Sequence, residues 1–198
     1  IRIPRIKNIR RGIFQEDIIR LVVNNTREPE DRNLDLKVQI ATNDFGVIQT
    51  TKLIEKMGLE AMEVAVEDLL IYTSRRLKKH LLALKQGSSS FTTWMDDDGL
   101  EGQTLPLKAN VKIENGHLLI DFSGSGPQSR GAFNVMTTGV VATVSYAVKA
   151  LLDPDLPAND GLYSVIQLNM PRGSILNPVY PAAVGARTTT CQKLAGAI

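Results

Sequence analysis

The chain has 198 residues, 43% apolar and 22% charged, with 23 Lys and Arg against 21 Asp and Glu for a net charge of +2. This composition is that of an ordinary folded domain and is too apolar for a disordered segment. No apolar run reaches the roughly 18 residues of a membrane-spanning helix, and the charge balance falls short of the basic footprint of a nucleic-acid binder. The single cysteine, Cys191, can form no internal disulfide, so a reducing, cytoplasmic setting is expected.

The first eleven residues alternate isoleucines with Arg2, Arg5, Lys7, Arg10 and Arg11, interrupted by Pro4, and read as an extended, solvated edge or linker ending at Gly12. A short helix fits Glu16 to Asn25, with Ile18, Ile19, Val22 and Val23 at helical spacing and two acids in the first turn. Pro29 is placed to open a long helix from Glu30 to Met57. Its expected buried positions are Leu34, Val38, Ile40, Ala41, Phe45, Ile48, Leu53 and Ile54.

Gly58 ends that helix, and a second runs from Leu59 to Lys85. Met62, Val66, Leu69, Leu70, Leu77, Leu81 and Leu84 form its apolar stripe, with acids early and bases, including Arg76 and His80, late. The one-residue joint allows either an antiparallel hairpin or one bent rod. The late basic cluster reads as a solvated face.

Gln86–Gly87–Ser88–Ser89–Ser90 has linker composition, and the pattern then changes from helical to alternating. The expected organisation is a mainly helical segment over 1–86 and a strand-rich α+β segment over 87–198. Strands are expected at Phe91–Met95, Leu105–Glu114 and His117–Phe122, the last two joined by an Asn115–Gly116 hairpin turn. A buried helix fits Thr138 to Leu152, stopped by Asp153–Pro154. A further strand is expected over Leu162–Met170, then an irregular proline-rich loop, then a last helix from Thr188. The fold class is therefore α+β: long helices, then a mixed strand-rich segment with one buried helix.

Tests for chemistry are mostly negative. Two separated histidines, His80 and His117, and one cysteine match no zinc spacing. Asp96, Asp98 and Gly99 imitate part of a calcium loop, but Trp94 and Leu105 occupy its end positions, so a solvated acidic turn is expected. The stretch Phe122–Ser123–Gly124–Ser125–Gly126–Pro127 fails the dinucleotide, P-loop and nucleophile-elbow patterns. It leaves a loop whose backbone N–H groups, beside Arg130, suit an anion or polar ligand. Thr188, Thr189 and Thr190 at a helix start suit either an anion or a helix cap. Cys191 has no neighbouring base.

Several longer motifs stand in order along the chain. They are Asp35–Leu36–Lys37–Val38–Gln39–Ile40–Ala41, then Leu119 to Gln128 followed by Gly131 and Asn134, then Leu151 to Gly161, then Gly173–Ser174–Ile175–Leu176–Asn177–Pro178, and Pro181–Ala182–Ala183–Val184–Gly185. Together they resemble the hydantoinase B/oxoprolinase family over the whole chain. Members of that family are several hundred residues long, so the chain is expected to be an internal piece, which fits an opening Ile1 and a close just after a helix start.

The resemblance implies part of a B-type subunit or domain of ATP-dependent enzymes that open 5-oxoproline, hydantoins or related lactams. A hydantoinase A-type subunit or domain would bind ATP and magnesium and phosphorylate the carbonyl, as one member of a hetero-oligomer. Related members are ATP- and bicarbonate-dependent ketone carboxylases, which supplies the alternative reading. A divalent metal in the family is expected outside this chain, so no metal ligand is assigned here. A non-catalytic assembly module, built on the long helices, is the third reading.

No catalytic residue is assigned. The substrate-binding candidates are Ser123, Gly124, Arg130, Asn134, Thr190 and Gln192, and the reading requires the Asp121–Asn134 loop and the Gly185–Gln192 segment to meet in one pocket. The family commonly carries Gly-Asn…Glu-Thr-Ser-Gln after Ala-Val-Gly. Here Ala186 to Gln192 stand in that place, and only Thr190 and Gln192 match clearly.

Overall fold

The computed structural model describes residues 3, 5–98, 100 and 102–198. Part of the basic opening stretch (Arg2 and Pro4) and Gly99 of the acidic turn lie outside the described residues. Two compact units are present, Ile1–Val64 and Ala65–Ile198.

In the first unit, β1 (Ile9–Arg10) and β2 (Ile13–Phe14) form a small antiparallel pair, followed by α1 (Glu16–Val23) and α2 (Pro29–Met57). Ile19 and Val23 of α1 are buried. The half-buried positions Asn33, Leu36 and Ile40 recur at helical spacing where α1 meets α2. The burial expected along α2 is not observed. The helix has no buried residue, and Leu34, Val38, Phe45, Ile48 and Leu53 are exposed. Its apolar residues are spread around the whole circumference, and α1 covers one narrow strip of it. Gly58, at φ 85°, ends α2 with its N–H on the Ile54 carbonyl, and α3 (Leu59–Ala83) begins at the next residue.

The second unit holds the core. Four strands, β3 (Gly87–Met95), β4 (Leu105–Glu114), β5 (His117–Asp121) and β6 (Ile166–Asn169), lie in that order in one sheet. The first two pairings are antiparallel and β5–β6 is parallel. Asn115 and Gly116, at φ 53° and 74°, make the turn between β4 and β5, because that hairpin geometry needs two positive φ angles. The parallel pair is joined through α4 (Thr137–Leu152), as a parallel connection requires a crossover. Helix α5 (Arg187–Ala195) closes the chain and packs on α4 and β3.

Alternation sets the layers. Leu105, Leu107 and Ala109 of β4 and Leu118 and Ile120 of β5 are buried on one face. They meet Val140, Val144 and Val148 of α4, Leu194 of α5, and Leu77 and Leu81 of α3. The linker reading of Gln86–Ser90 is corrected: Gly87 to Ser90 are strand, paired with Ile113 to Asn110, because one more turn of hairpin pairing satisfies backbone groups that a loop would leave to water. The strand expected over Leu162–Met170 shortens to Ile166–Asn169, preceded by a 3₁₀ turn at Asp160–Leu162. In α3 the burial is confined to Thr73, Leu77 and Leu81, while Val66 and Leu69, and Leu84 just past its end, are exposed.

The late basic cluster of α3 is more than a solvated face. Arg76 grips the buried Asp153 through Nε and through Nη2 at 2.7 Å, and His80 Nε2 lies 3.2 Å from the same carboxylate. Arg76 also donates to the Tyr72 hydroxyl at 2.8 Å. The guanidinium holds Asp153 below its ordinary value of 3.8, with His80 adding to the effect. A carboxyl depressed on folding stabilises the fold above its unfolded pKa and loses that contribution as pH falls through its folded pKa. Urea unfolding of Asp153→Asn should therefore show a lower midpoint than the parent at pH 7, with the gap closing as pH drops below 3.8. A gap independent of pH would remove the ion pair from the account.

Candidate functional site

The carboxyl ends of β5 and β6 open into two loops, 122–136 and 170–186, and these loops interlock. Open α/β sheets place ligands at this position, beyond the carboxyl ends of parallel strands. Ile175 N–H donates to the Gly126 carbonyl at 3.0 Å, Gln128 N–H to Gly173 at 2.8 Å and Val135 N–H to Ile175 at 2.8 Å. The Gln128 side chain clamps the second loop from both sides, accepting from Val179 N–H at 2.6 Å and donating to the Pro181 carbonyl at 2.9 Å. Between the loops lies an open cleft of about 470 Å³, lined by Gln128, Ser129, Arg130, Gly173, Val179 and Pro181 to Ala183.

Asn134 is the rivet of the arrangement. It is fully buried, its Oδ1 accepts from Ser129 N–H at 2.8 Å, and its Nδ2 reaches the carbonyls of Ser129, Gly131 and Ala183 at 2.9, 3.2 and 2.9 Å. Thr190 is also fully buried, in the first turn of α5, and donates to the Phe133 carbonyl at 2.6 Å. Ala186 N–H bonds the Ala132 carbonyl at 2.9 Å. The 129–134 part of the first loop and the 183–190 stretch are thus in direct contact.

The candidate residues separate into two groups. Arg130 lines the cleft, Asn134 and Thr190 stand behind it with their polar atoms committed to main chain, and Gln192 is half-buried on α5. Ser123 and Gly124 belong elsewhere, at the end of β5. There the Asp121 carboxylate accepts from Ser123 N–H at 2.9 Å and from Asn169 Nδ2 at 2.8 Å. Hydrogen bonding from Ser123, through its side chain first and its N–H next, holds Asp121 below its ordinary value, with Asn169 adding to the effect and Lys108 contributing at longer range. The Lys108 stem fills the space beside Gly124, where a Cβ would stand 3.0 Å from Cδ.

Asp121 belongs to a row across the outer sheet face in which Ser90, Asn110, Asp121 and Asn169 are successive register partners. Asn110 Nδ2 spans to the Asp121 and Ser123 carbonyls at 3.0 and 3.2 Å. Sequence reading missed this row and the clamp at Gln128. The row depends on pairing register, which periodicity does not give, whereas Gln128 stood inside a recognisable motif.

Among the described residues no group of three or more His, Cys, Asp or Glu converges to hold a metal ion. His80 is engaged with Asp153 and His117 sits at the start of β5. These residues do not fit the divalent metal that the family implies. No helix of the described residues is long and apolar enough to cross a membrane.

A strand–helix–strand unit with interlocked post-strand loops defines the class of the site. The profile of the hydantoinase B/oxoprolinase family matches residues 1–198, and the chain belongs to that family. It is 32% identical to a 5-oxoprolinase of Dictyostelium discoideum over 99% of this chain and 16% of that protein. It is 27% identical to a Pseudomonas protein assigned as the B-type chain of a D-/L-hydantoinase, over 92% of this chain and 33% of the relative. The chain therefore spans a third or less of the length of these curated relatives. Its fold is shared with the ATP-dependent caprolactamase of Pseudomonas jessenii, at a TM-score of 0.86 and 23% identity over 98% of this chain and 34% of that one. It is shared less closely with an acetone carboxylase, at a TM-score of 0.70 and 17% identity over 89% and 25%.

Proposed function

We propose that this chain is part of the B-type subunit or domain of an ATP-dependent amidohydrolase that opens 5-oxoproline, a hydantoin or a related lactam. The observation that carries the reading is the family match along the whole chain, together with a built cleft at the carboxyl ends of β5 and β6. An amide carbonyl is a poor electrophile, and phosphorylating its oxygen turns it into a better one. In this reading a hydantoinase A-type subunit or domain holds ATP with magnesium and carries out that step, and the metal of the B-type part lies outside the described residues. The present chain contributes a cleft whose walls are fixed by main-chain bonds. Arg130 supplies a cation suited to the phosphate on the activated oxygen. Orientation of the activated substrate in such a cleft supplies a proximity advantage.

The test is ADP release by the complete, co-purified complex, with lactams and hydantoins in one arm and a ketone plus bicarbonate in the other. Release with cyclic amides alone is the expected outcome. Release only with ketone and bicarbonate would move the chain to the carboxylase branch, which the weaker structural likeness also represents. Within the first outcome, Arg130→Ala should lower amide-dependent ADP release by about 10- to 100-fold, the value of one charge-assisted hydrogen bond. Full activity in that variant would take Arg130 out of the site.

A further inference from the structure

The two walls of the cleft are held by different means. The first loop supplies Gln128, Ser129 and Arg130, and the second supplies Gly173, Val179 and the stretch from Pro181 to Ala183. At one end the second loop is anchored in the core by Ile175 and Leu176, both fully buried. At the other, Asn134 holds the Ala183 carbonyl. The stretch between these anchors carries Val179 and Tyr180 at the surface, 38% and 71% exposed, so apolar burial does little to fix it.

Gln128 bonds that stretch with a single side chain. Val179 N–H donates to its Oε1 at 2.6 Å, and its Nε2 donates to the Pro181 carbonyl at 2.9 Å. Proline has no N–H, so this carbonyl is the one main-chain polar group that Pro181 offers. The two partners fix the orientation of the amide, because an N–H needs an acceptor and a carbonyl needs a donor. An ionised glutamate of the same length offers only acceptors, and a methionine offers no donor. The Gln128 N–H is itself tied to the Gly173 carbonyl at 2.8 Å, so the clamp stands on a fixed base.

We propose that Gln128 is a specificity-determining positioning residue: its amide fixes how far the Val179–Pro181 wall stands from the Arg130 wall, and that distance selects the ring size of the cyclic amide. The inference rests on the amidohydrolase reading. Val179 and Pro181 present the apolar surface that meets the ring methylenes, and Gln128 acts through them. A pocket with fixed walls discriminates one methylene by about 10- to 200-fold. A wall free to move gives up that ratio, because the loop then absorbs the misfit of a larger or smaller ring.

The test uses the complete, co-purified complex and a series of five-, six- and seven-membered cyclic amides. Gln128→Met keeps the length and removes both bonds. Gln128→Glu keeps the acceptor for Val179 N–H and sets an oxygen against the Pro181 carbonyl. In both variants kcat/KM for the preferred ring relative to the next should fall by about 10-fold or more. The change should lie in KM for the preferred ring, with kcat little altered. Amide hydrogen exchange at Val179 should quicken in Gln128→Met, a readout that does not depend on activity. Faster exchange with an unchanged ring-size ratio would overturn the inference and leave the amidohydrolase reading standing. Unchanged exchange would overturn it too, because another contact would then hold the wall. A loss confined to kcat would do the same, by placing the amide on the reacting group. If the parent complex opens no cyclic amide, the reading fails and the inference falls with it. If far-UV circular dichroism shows Gln128→Met unfolded, the ring-size ratio of Gln128→Glu decides.

Discussion

Asn134→Ala should lower stability by about 3–5 kcal/mol and abolish turnover of the complex. The substitution leaves one backbone N–H and three carbonyls without their partner at a position sealed from water. Each buried polar group that loses its partner costs about 1–3 kcal/mol, with partial relief as water enters. Asn134→Asp is the sharper variant. It keeps the shape and one acceptor, loses both N–H donors, and turns a buried carboxylate toward the carbonyls of Ser129, Gly131 and Ala183. It should be at least as damaging as alanine. Urea unfolding of both variants, read beside ADP release, separates this positioning role from direct substrate contact. A variant that keeps its midpoint while losing activity would return Asn134 to the ligand.

The second large effect is expected at Gly161, in the 3₁₀ turn between α4 and β6. A Cβ there would stand 2.4 Å from the Leu70 carbonyl oxygen and 2.9 Å from both Asn159 Oδ1 and Thr73 Cβ. Nearly the whole neighbourhood is pinned. Asn159 Oδ1 accepts from Gly161 N–H at 2.9 Å, Asn159 Nδ2 donates to Thr73 Oγ1 at 3.0 Å, and Thr73 Oγ1 donates to the Leu69 carbonyl at 2.9 Å. Ordinary overpacking costs about 1–3 kcal/mol. Because the nearest obstacle is helix backbone, Gly161→Ala should exceed about 3 kcal/mol. Thermal unfolding by calorimetry would show it, and a change within experimental error would mean that α3 yields at Leu70.

Much of the architecture was legible because it is local. Proline before an acidic turn, Gly58, Asn115–Gly116 and Asp153–Pro154 each punctuate the chain by their own stereochemistry, and the elements begin and end within a few residues of them. What pairs elements at a distance was not legible. The parallel β5–β6 pairing and the polar row from Ser90 to Asn169 depend on register across separate segments. Asp153 reads in sequence as the end of an apolar helix, and only folding brings Arg76 and His80 to it.

The long-helix stripe was read as buried by the same rule that correctly found Leu77 and Leu81, yet on α2 the rule meets only the narrow surface of α1 within the unit. At the candidate site, the motifs fall in the two loops that interlock after β5 and β6. Motif reading does not distinguish a residue that touches a ligand from one that holds a loop, which is why Asn134 and Thr190 stood beside Arg130 as equals.

The clamp at Gln128 and the rivet at Asn134 fasten the cleft by bonds to main-chain atoms at Val179, Pro181, Ser129, Gly131 and Ala183. Main-chain atoms are the same whatever side chain the position carries. The residues that face the cleft can therefore be exchanged without unfastening the frame that holds them. In the reading proposed above, a lineage with this frame would pass from one ring size or one carbonyl to another by changing side chains alone, leaving the two fasteners in place.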